Sequence, residues 1–335
     1  MAFVSLTISV HSAPRGERGQ DAAPCEDERV LDTREDMRAL VAVLDGCGGT
    51  GARRYLLAEG WSGARLASHL AGRRLCRWFS ELNSEEENGQ TAEDQALALH
   101  DALEEELLAA KDALAGEGTS RISSRLSKEL PTTLAALTAE AFPNARLRLR
   151  SFWAGNSRNY VLLPRGLRQL SRDDLVGGYD PWEDLSRDGV LSNSVNASVP
   201  FVIHAAETEV SLPCLIFSAT DGVFSYFDSP IRLEWLLLST LREAESPLAW
   251  ENALREEFGA LAADDHTLQL AALGFESFPA LQEAYAGRLE LLEREYIPAL
   301  QEAAEAEDSE QLRALWERYK TDYFEYDIEK DADHG

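Results

Sequence analysis

The sequence predicts an α+β fold with antiparallel sheets. Three observations carry that prediction. Candidate strands follow one another instead of alternating with helices, and the long helical patterns are gathered at 56–114 and beyond 231. Two short, wholly apolar runs, 40–44 and 214–217, stop abruptly at an Asp-Gly pair. An alternating βαβ order would imply a parallel sheet, whereas strands in succession with segregated helices imply hairpins and antiparallel pairing.

Taken in order, residues 3–10 alternate, with Val4, Leu6, Ile8 and Val10 on one face of a half-buried strand. A charged, glycine-containing loop covers 15–21. The apolar run 40–44 then enters Asp45-Gly46-Cys47-Gly48-Gly49, as a buried strand entering a glycine turn does. Residues 56–82 read as helix, 83–90 as a polar loop. A second helix starts at Thr91, whose spacing to Asp94 is that of a capping box. Leu99, Leu103, Leu107, Ala110 and Leu114 form its apolar stripe. Strands are predicted over 132–139, 147–153 and 160–163, with a turn at Gly155-Asn156-Ser157 and Arg146, Arg148 and Arg150 alternating against Leu147 and Leu149. A long irregular stretch, 171–198, is of the kind that often serves function. Weaker strand patterns, 201–204 and 209–212, precede the run at 214–217. A helix is predicted over 231–243, and Asp264-Asp265 stands directly before a strand over 267–273. Beyond Phe275 the pattern becomes a helical hairpin: Leu281, Tyr285, Leu289, Leu292 and Tyr296 on one helix, then Leu312, Leu315, Trp316, Tyr319 and Tyr323 on another capped by Asp308 or Ser309. The domain reading is 1–275 for the main unit and 276–330 for a helical extension.

Lys and Arg number 32 against 59 Asp and Glu, a formal net charge of −27. Nucleic acid and anionic membranes both select clustered positive charge, so neither is expected as a partner. No two of Cys25, Cys47, Cys76 and Cys214 have the CxxC spacing of a zinc or redox pair. Residues 1–10 lack the basic segment and long apolar run of an export signal, and no stretch of about 18 apolar residues occurs. The reading is a cytoplasmic protein.

The chemistry lies in the acidic strand ends. Asp45 and Asp221 each follow an apolar run, and Asp264 stands ahead of a strand. A carboxylate in such a place must be solvated, paired or metal-bound. Three brought together repel, and divalent cations relieve that repulsion. All-oxygen donors favour hard ions, Mg²⁺ or Mn²⁺. Singly, an Asp-Gly is most often just a turn; the set and its order carry the argument.

Seven segments in order resemble the metal-dependent, type 2C serine/threonine protein phosphatase family, over about residues 3–273. Arg15 through Gln20-Asp21 resembles its N-terminal arginine and acidic motif. Val43 through Gly49 resembles Asp-Gly-His-Gly-Gly, Pro131-Thr132-Thr133 resembles Gly-Thr-Thr, and Trp153 through Arg158 resembles the Gly-Asp-Ser-Arg strand turn. Gln169 through Asp174 resembles Leu-Thr-x-Asp-His, Ser218 through Val223 resembles Ser-Asp-Gly, and Asp264-Asp265-His266-Thr267 resembles the final acidic motif. The resemblance implies a β-sandwich of two antiparallel sheets flanked by helices. It also implies hydrolysis of phosphoserine or phosphothreonine in a phosphoprotein substrate by a water activated between two metal ions. Asp45, the Gly46 carbonyl, Asp221 and Asp264 would hold two Mn²⁺ or Mg²⁺ ions. Asp21 would orient water beside them, and Arg15 would grip the phosphate with its planar fork of donors.

Three departures from the family pattern leave a second reading open. Cys47 replaces a histidine, and a thiol is a poorer proton donor than imidazolium. Asn156 replaces an aspartate, and Ser225 stands where many relatives carry another acid, which weakens a third metal site. The alternative is a pseudophosphatase: a retained fold acting as a binding module, with the C-terminal helices as the surface for a protein partner or for self-association.

Overall fold

The structure, a computed structural model, describes residues 3–14, 25–82, 89–115, 128–177 and 189–323. Its strands are β1 (Val4–Ser12), β2 (Glu28–Thr33), β3 (Arg38–Leu44), the short β4 (Arg54–Tyr55) and β5 (Trp61–Ser62), β6 (Leu134–Phe142), β7 (Arg146–Ala154), β8 (Arg158–Leu163), β9 (Gly166–Gln169), β10 (His204–Ser211), β11 (Cys214–Ala219) and β12 (His266–Leu273). Its longer helices are α1 (Gly63–Glu81), α2 (Ala92–Ala113), α3 (Pro230–Glu243), α4 (Pro247–Leu261), α5 (Phe278–Leu291), α6 (Ile297–Glu305) and α7 (Ser309–Tyr319). Two five-stranded sheets form, ordered β1-β12-β11-β8-β9 and β10-β7-β6-β3-β2. Every neighbouring pair within them is antiparallel.

The two apolar runs explain how the layers stack. Along β3, Ala39 and Val41 face the other sheet while Leu40, Ala42 and Leu44 face α1 and α2. Along β11, Cys214 and Ile216 point between the sheets, and Leu215 and Phe217 point to the second helical layer. A strand buried on both faces loses its alternation, which is why these two read as unbroken hydrophobic runs. Leu75, Trp78, Leu99 and Leu103 cover one sheet. Leu237, Trp250, Leu281, Tyr285 and Trp316 cover the other. The result is a helix–sheet–sheet–helix sandwich with C-terminal helices added.

Local details follow the sequence in most places. Thr91 and Asp94 form a full capping box on α2. Asp308 caps α7, its carboxylate accepting from the Glu310 and Gln311 N–H groups. The predicted helix over 56–82 is corrected: Leu56 and Leu57 lie 74% and 71% exposed in a short 3₁₀ turn, and α1 starts only after the Ser62 cap. Glu59 and Gly60 both take positive φ there, which an α-helix excludes. The predicted strand at 201–204 is corrected: 201–203 are irregular, and a single strand, β10, runs from His204 to Ser211 and takes in most of the pattern at 209–212. It is an edge strand tied to β7 by charge, Glu207 pairing with Arg150 at 2.7 Å and Glu209 with Arg146. Strands β2 and β9 and helix α4 were not predicted.

The C-terminal helices share a core with the first sheet. Tyr285 inserts its hydroxyl between paired strands, donating to Leu162 O at 2.6 Å and accepting from Leu215 N–H at 3.1 Å. Glu234 of α3, fully buried, accepts from Arg288 at 2.8 and 2.7 Å and from the Tyr319 hydroxyl at 2.6 Å. The aromatic stripe Trp316, Tyr319 and Tyr323 is buried against this layer, so its apolar face is used within the chain. Residues 292–296 form a π-helical turn that runs α5 into α6 ahead of Pro298, and α7 folds back on α6.

Candidate metal centre

Asp45 follows β3, and its backbone is held by the Pro131-Thr132-Thr133 segment. Its carbonyl accepts from Thr133 N–H at 2.8 Å and from the Thr132 hydroxyl at 2.9 Å, and its N–H donates to Thr133 Oγ1 at 3.1 Å. Ser157 Oγ lies 2.7 Å from Thr133 Oγ1, which ties in the turn after β7. Gly46 is required by its surroundings: a Cβ there would sit 2.6 Å from Glu26 O and 2.9 Å from the Ala64 carbonyl carbon.

Asp221 opens a single helical turn after β11. Asn156 Nδ2 donates to its Oδ2 at 2.8 Å. The glycine after it allows the closest approach in the site, since a Cβ on Gly222 would lie 1.9 Å from Asp265 O. That contact brings Asp264-Asp265, at the entry to β12, beside Asp221. Thr220 fastens the same corner, accepting from Thr267 N–H at 2.9 Å and donating to Asp27 Oδ2 at 3.0 Å. Asp27 stands just before β2, is only 5% exposed, and its Oδ1 has no hydrogen-bond donor.

Crowded carboxyls resist ionisation. Burial, then Asp221 and Asp27, hold Asp45 well above the ordinary carboxylate range. Burial raises Asp221 too, against the Asn156 hydrogen bond. Burial pushes Asp27 up to about 8 and Asp265 up to about 6. Among the described residues, the strongest influences on these four carboxyls are burial, one another, the neighbouring carboxylates of Asp264 and Glu26, and neutral donors. Such a set fits a divalent cation: hard oxygen donors, mutual repulsion, and a buried oxygen without a partner. Cys47 has no character of a nucleophile, because burial and Asp45 hold its thiol above its usual range.

The remaining motif residues are structural. Arg158 grips Asp173 at 2.9 and 2.7 Å in a sealed pair, under the Phe224 ring at 4.2 Å. Asp174 ties the start of the long irregular stretch to the turn, accepting from Gly155 N–H at 2.9 Å and Asn193 Nδ2 at 2.8 Å. Val195 pairs with Thr132 on the way back. The described part of 171–198 is thus fastened beside the acidic cluster.

The same architecture occurs in solved structures. A bacterial serine phosphatase superposes with a TM-score of 0.56 at 16% identity, over 82% of this chain and 99% of that one. The serine/threonine phosphatase Stp1 from Staphylococcus aureus gives 0.55 at 15% identity, over 82% and 98%. The serine/threonine phosphatase PstP/Ppp of Mycobacterium tuberculosis gives 0.50 at 20% identity, over 79% and 99%. This chain has the type 2C phosphatase fold. No protein-family model matches it, and no curated protein matches it by sequence.

Within the type 2C fold, Asp45, Gly46, Asp221 and Asp264 come together at one end of the sandwich. Asp264 is exposed at the rim, and its Oδ1 accepts from the Asp265 N–H at 2.8 Å. Arg15 and Asp21 lie outside the described residues, as does 178–188 of the irregular stretch. Sequence reasoning missed Asp27. The signal was present: Glu26-Asp27 is a glutamate–aspartate pair six residues beyond Gln20-Asp21 and matches the same acidic motif. Among the described residues, no helix is long and apolar enough to cross a membrane.

Proposed function

We propose that this protein hydrolyses phosphate monoesters on serine and threonine side chains of other proteins, using the acidic end of the sandwich as a two-ion centre. The observation that supports it most is the crowding of Asp27, Asp45, Asp221 and Asp265 in a fold shared with bacterial serine/threonine phosphatases. Asp45, the Gly46 carbonyl, Asp221 and Asp264 are the proposed ligands, for Mn²⁺ or Mg²⁺. Bound there, such ions supply a Lewis acid for the phosphoryl oxygens and a more acidic water. The protein's own contribution is positioning. Thr132 and Thr133 fix Asp45, Asn156 fixes Asp221, and Gly222 lets the two acidic segments meet. Asp27, anchored through Oδ2 to Thr220, is free at Oδ1 to hold a water, the role that the family resemblance implies for Asp21. Arg15 keeps its proposed grip on the substrate phosphate. The net charge of −27 opposes nucleic acid and anionic membranes as partners, and a cytoplasmic setting accompanies this reading. The test is turnover of phosphothreonine peptides with Mn²⁺. Asp221→Asn should lower kcat by at least about 100-fold, in line with the loss of one strong electrostatic contributor; unchanged turnover would contradict the assignment.

The pseudophosphatase reading draws on a specific contact. Asn156 occupies one oxygen of Asp221 and brings no charge, and the Cys47 thiol stays neutral. Calorimetric titration with Mn²⁺ separates the two readings. Two-site binding together with turnover supports the enzyme; two-site binding without turnover on any phosphopeptide supports the binding module.

A further inference from the structure

At the end of the sandwich opposite the acidic centre, the two sheets part around a cleft of about 410 Å³. Its floor is apolar. Leu163 and Val210 belong to the core between the sheets, and Pro164, Leu212 and Pro213 complete the wall. Four polar side chains line the rest: Arg146, Arg165, Glu209 and Ser211. Arg146 is offset by its ion pair with Glu209. Arg165 has no such partner. Among the described residues its guanidinium makes no hydrogen bond or ion pair, and the Ser211 hydroxyl makes no hydrogen bond.

The walls are fixed by backbone pairing. Pro164 and Arg165 form the two-residue turn of a hairpin closed by the Leu163–Gly166 pair. Leu212 N–H donates to Ala145 O at 2.9 Å, which ties the β10–β11 turn to the turn before β7. The Tyr285 hydroxyl, bridging Leu162 O and Leu215 N–H, locks β8 to β11 beside Leu163. A pre-formed cavity with an apolar floor and a few polar groups is the usual form of a small-molecule site, and such sites span roughly 300–1,000 Å³.

We propose that this cleft binds a small organic monocarboxylate, its apolar body on Leu163, Val210 and Pro213 and its charged end on Arg165 and Ser211. The planar fork of a guanidinium matches a carboxylate, and one uncompensated guanidinium answers one negative charge. Glu209, also in the lining, opposes a second negative charge. The site is distinct from the acidic centre. Strand β7 runs from Arg146 at the cleft to Ala154 beside Asn156, and eight steps of about 3.3 Å separate the two ends by roughly 26 Å. The proposal does not rest on the hydrolytic reading, because it is read by binding alone.

The experiment is calorimetric titration of the full chain with 2-naphthoate, in EDTA so that no metal ion holds the carboxylate. Wild type should bind one equivalent saturably. Arg165→Glu should weaken binding at least about tenfold, as the loss of a hydrogen bond between charged groups does. Ser211→Trp, which fills the cleft from an exposed position, should abolish binding. Asp45→Asn should bind as wild type does. The uncharged 2-naphthalenemethanol, with the same apolar body, should bind wild type at least about tenfold more weakly than 2-naphthoate. No saturable binding in wild type, affinity kept in Arg165→Glu or in Ser211→Trp, affinity lost in Asp45→Asn, or equal affinity for the alcohol would each overturn the proposal. If a variant fails to fold, the comparison of acid and alcohol on wild type decides.

Discussion

Gly222 is where the acidic cluster depends on a single missing atom. Its Cβ position coincides with the Asp265 carbonyl, 1.9 Å away, so any side chain pushes Asp264 and Asp265 off Asp221. Gly222→Ala should therefore destabilise by about 1–3 kcal/mol, as overpacking does. It should also weaken Mn²⁺ binding at least tenfold, and chemical denaturation and calorimetry measure the two effects. The carboxyls give a pH signature as well. Asp27 at about 8 and Asp265 at about 6 are raised above their unfolded values near 4. Between those limits the folded state binds more protons than the unfolded state, so stability present below about pH 4 is lost as pH rises toward 8. In EDTA the melting temperature should fall from pH 5 to pH 8, and Mn²⁺ should reverse most of that fall; a flat profile in EDTA would contradict the crowding. Asp45 and Asp221 were legible in the sequence because an apolar run ending in Asp-Gly marks a carboxylate that folding must accommodate. Asp27 was not, because it precedes a polar edge strand in which Val30 is the only core side chain.

At the scale of elements, motif spacing is explained by pairs that join one turn to the next. Arg158 and Asp173 link the turn after β7 to the start of the irregular stretch, and both are sealed from solvent. Arg158→Met leaves a buried carboxyl unpaired and should cost about 3–5 kcal/mol, while the double variant with Asp173→Leu should recover a large part of it. A double-mutant cycle measured by denaturation checks this. Thr133→Val removes the acceptor for Asp45 N–H and should cost about 1–3 kcal/mol, with a drop in metal affinity. The doubly buried strands and the capping box were readable because their signals are local. Edge strands were hard to read because cross-strand ion pairs, such as Arg150 with Glu207, hold them in place of an apolar face. Helix α4 carried a readable Ser246 cap with Pro247 behind it, yet only Trp250, Leu254 and Phe258 of it are buried, a thin stripe. The start of α1 was set by the positive φ angles at Glu59 and Gly60, which an apolar pattern does not encode.

For the whole molecule, the C-terminal helices complete the core over the first sheet. Removing 278–335 would expose Leu237 and Leu241 and leave Glu234 without Arg288 and Tyr319. Trp316→Ala should cost about 3–5 kcal/mol, measured by denaturation, because the indole is among the largest fully buried side chains. The helical hairpin was foreseeable from its aromatic periodicity, but its partner was not, since a stripe of Trp and Tyr has the same spacing whether it packs inward or on another chain. The sandwich was legible in the same way: each motif is short, and only their fixed order ties them to one fold. The central claim is that the acidic end is a metal centre for phosphate ester hydrolysis. The most direct measurement is hydrolysis of p-nitrophenyl phosphate with Mn²⁺, with Mg²⁺ and with EDTA, for wild type beside Asp45→Asn. The account predicts turnover that requires the metal and vanishes in the variant; turnover that survives EDTA, or that Asp45→Asn leaves unchanged, would contradict it.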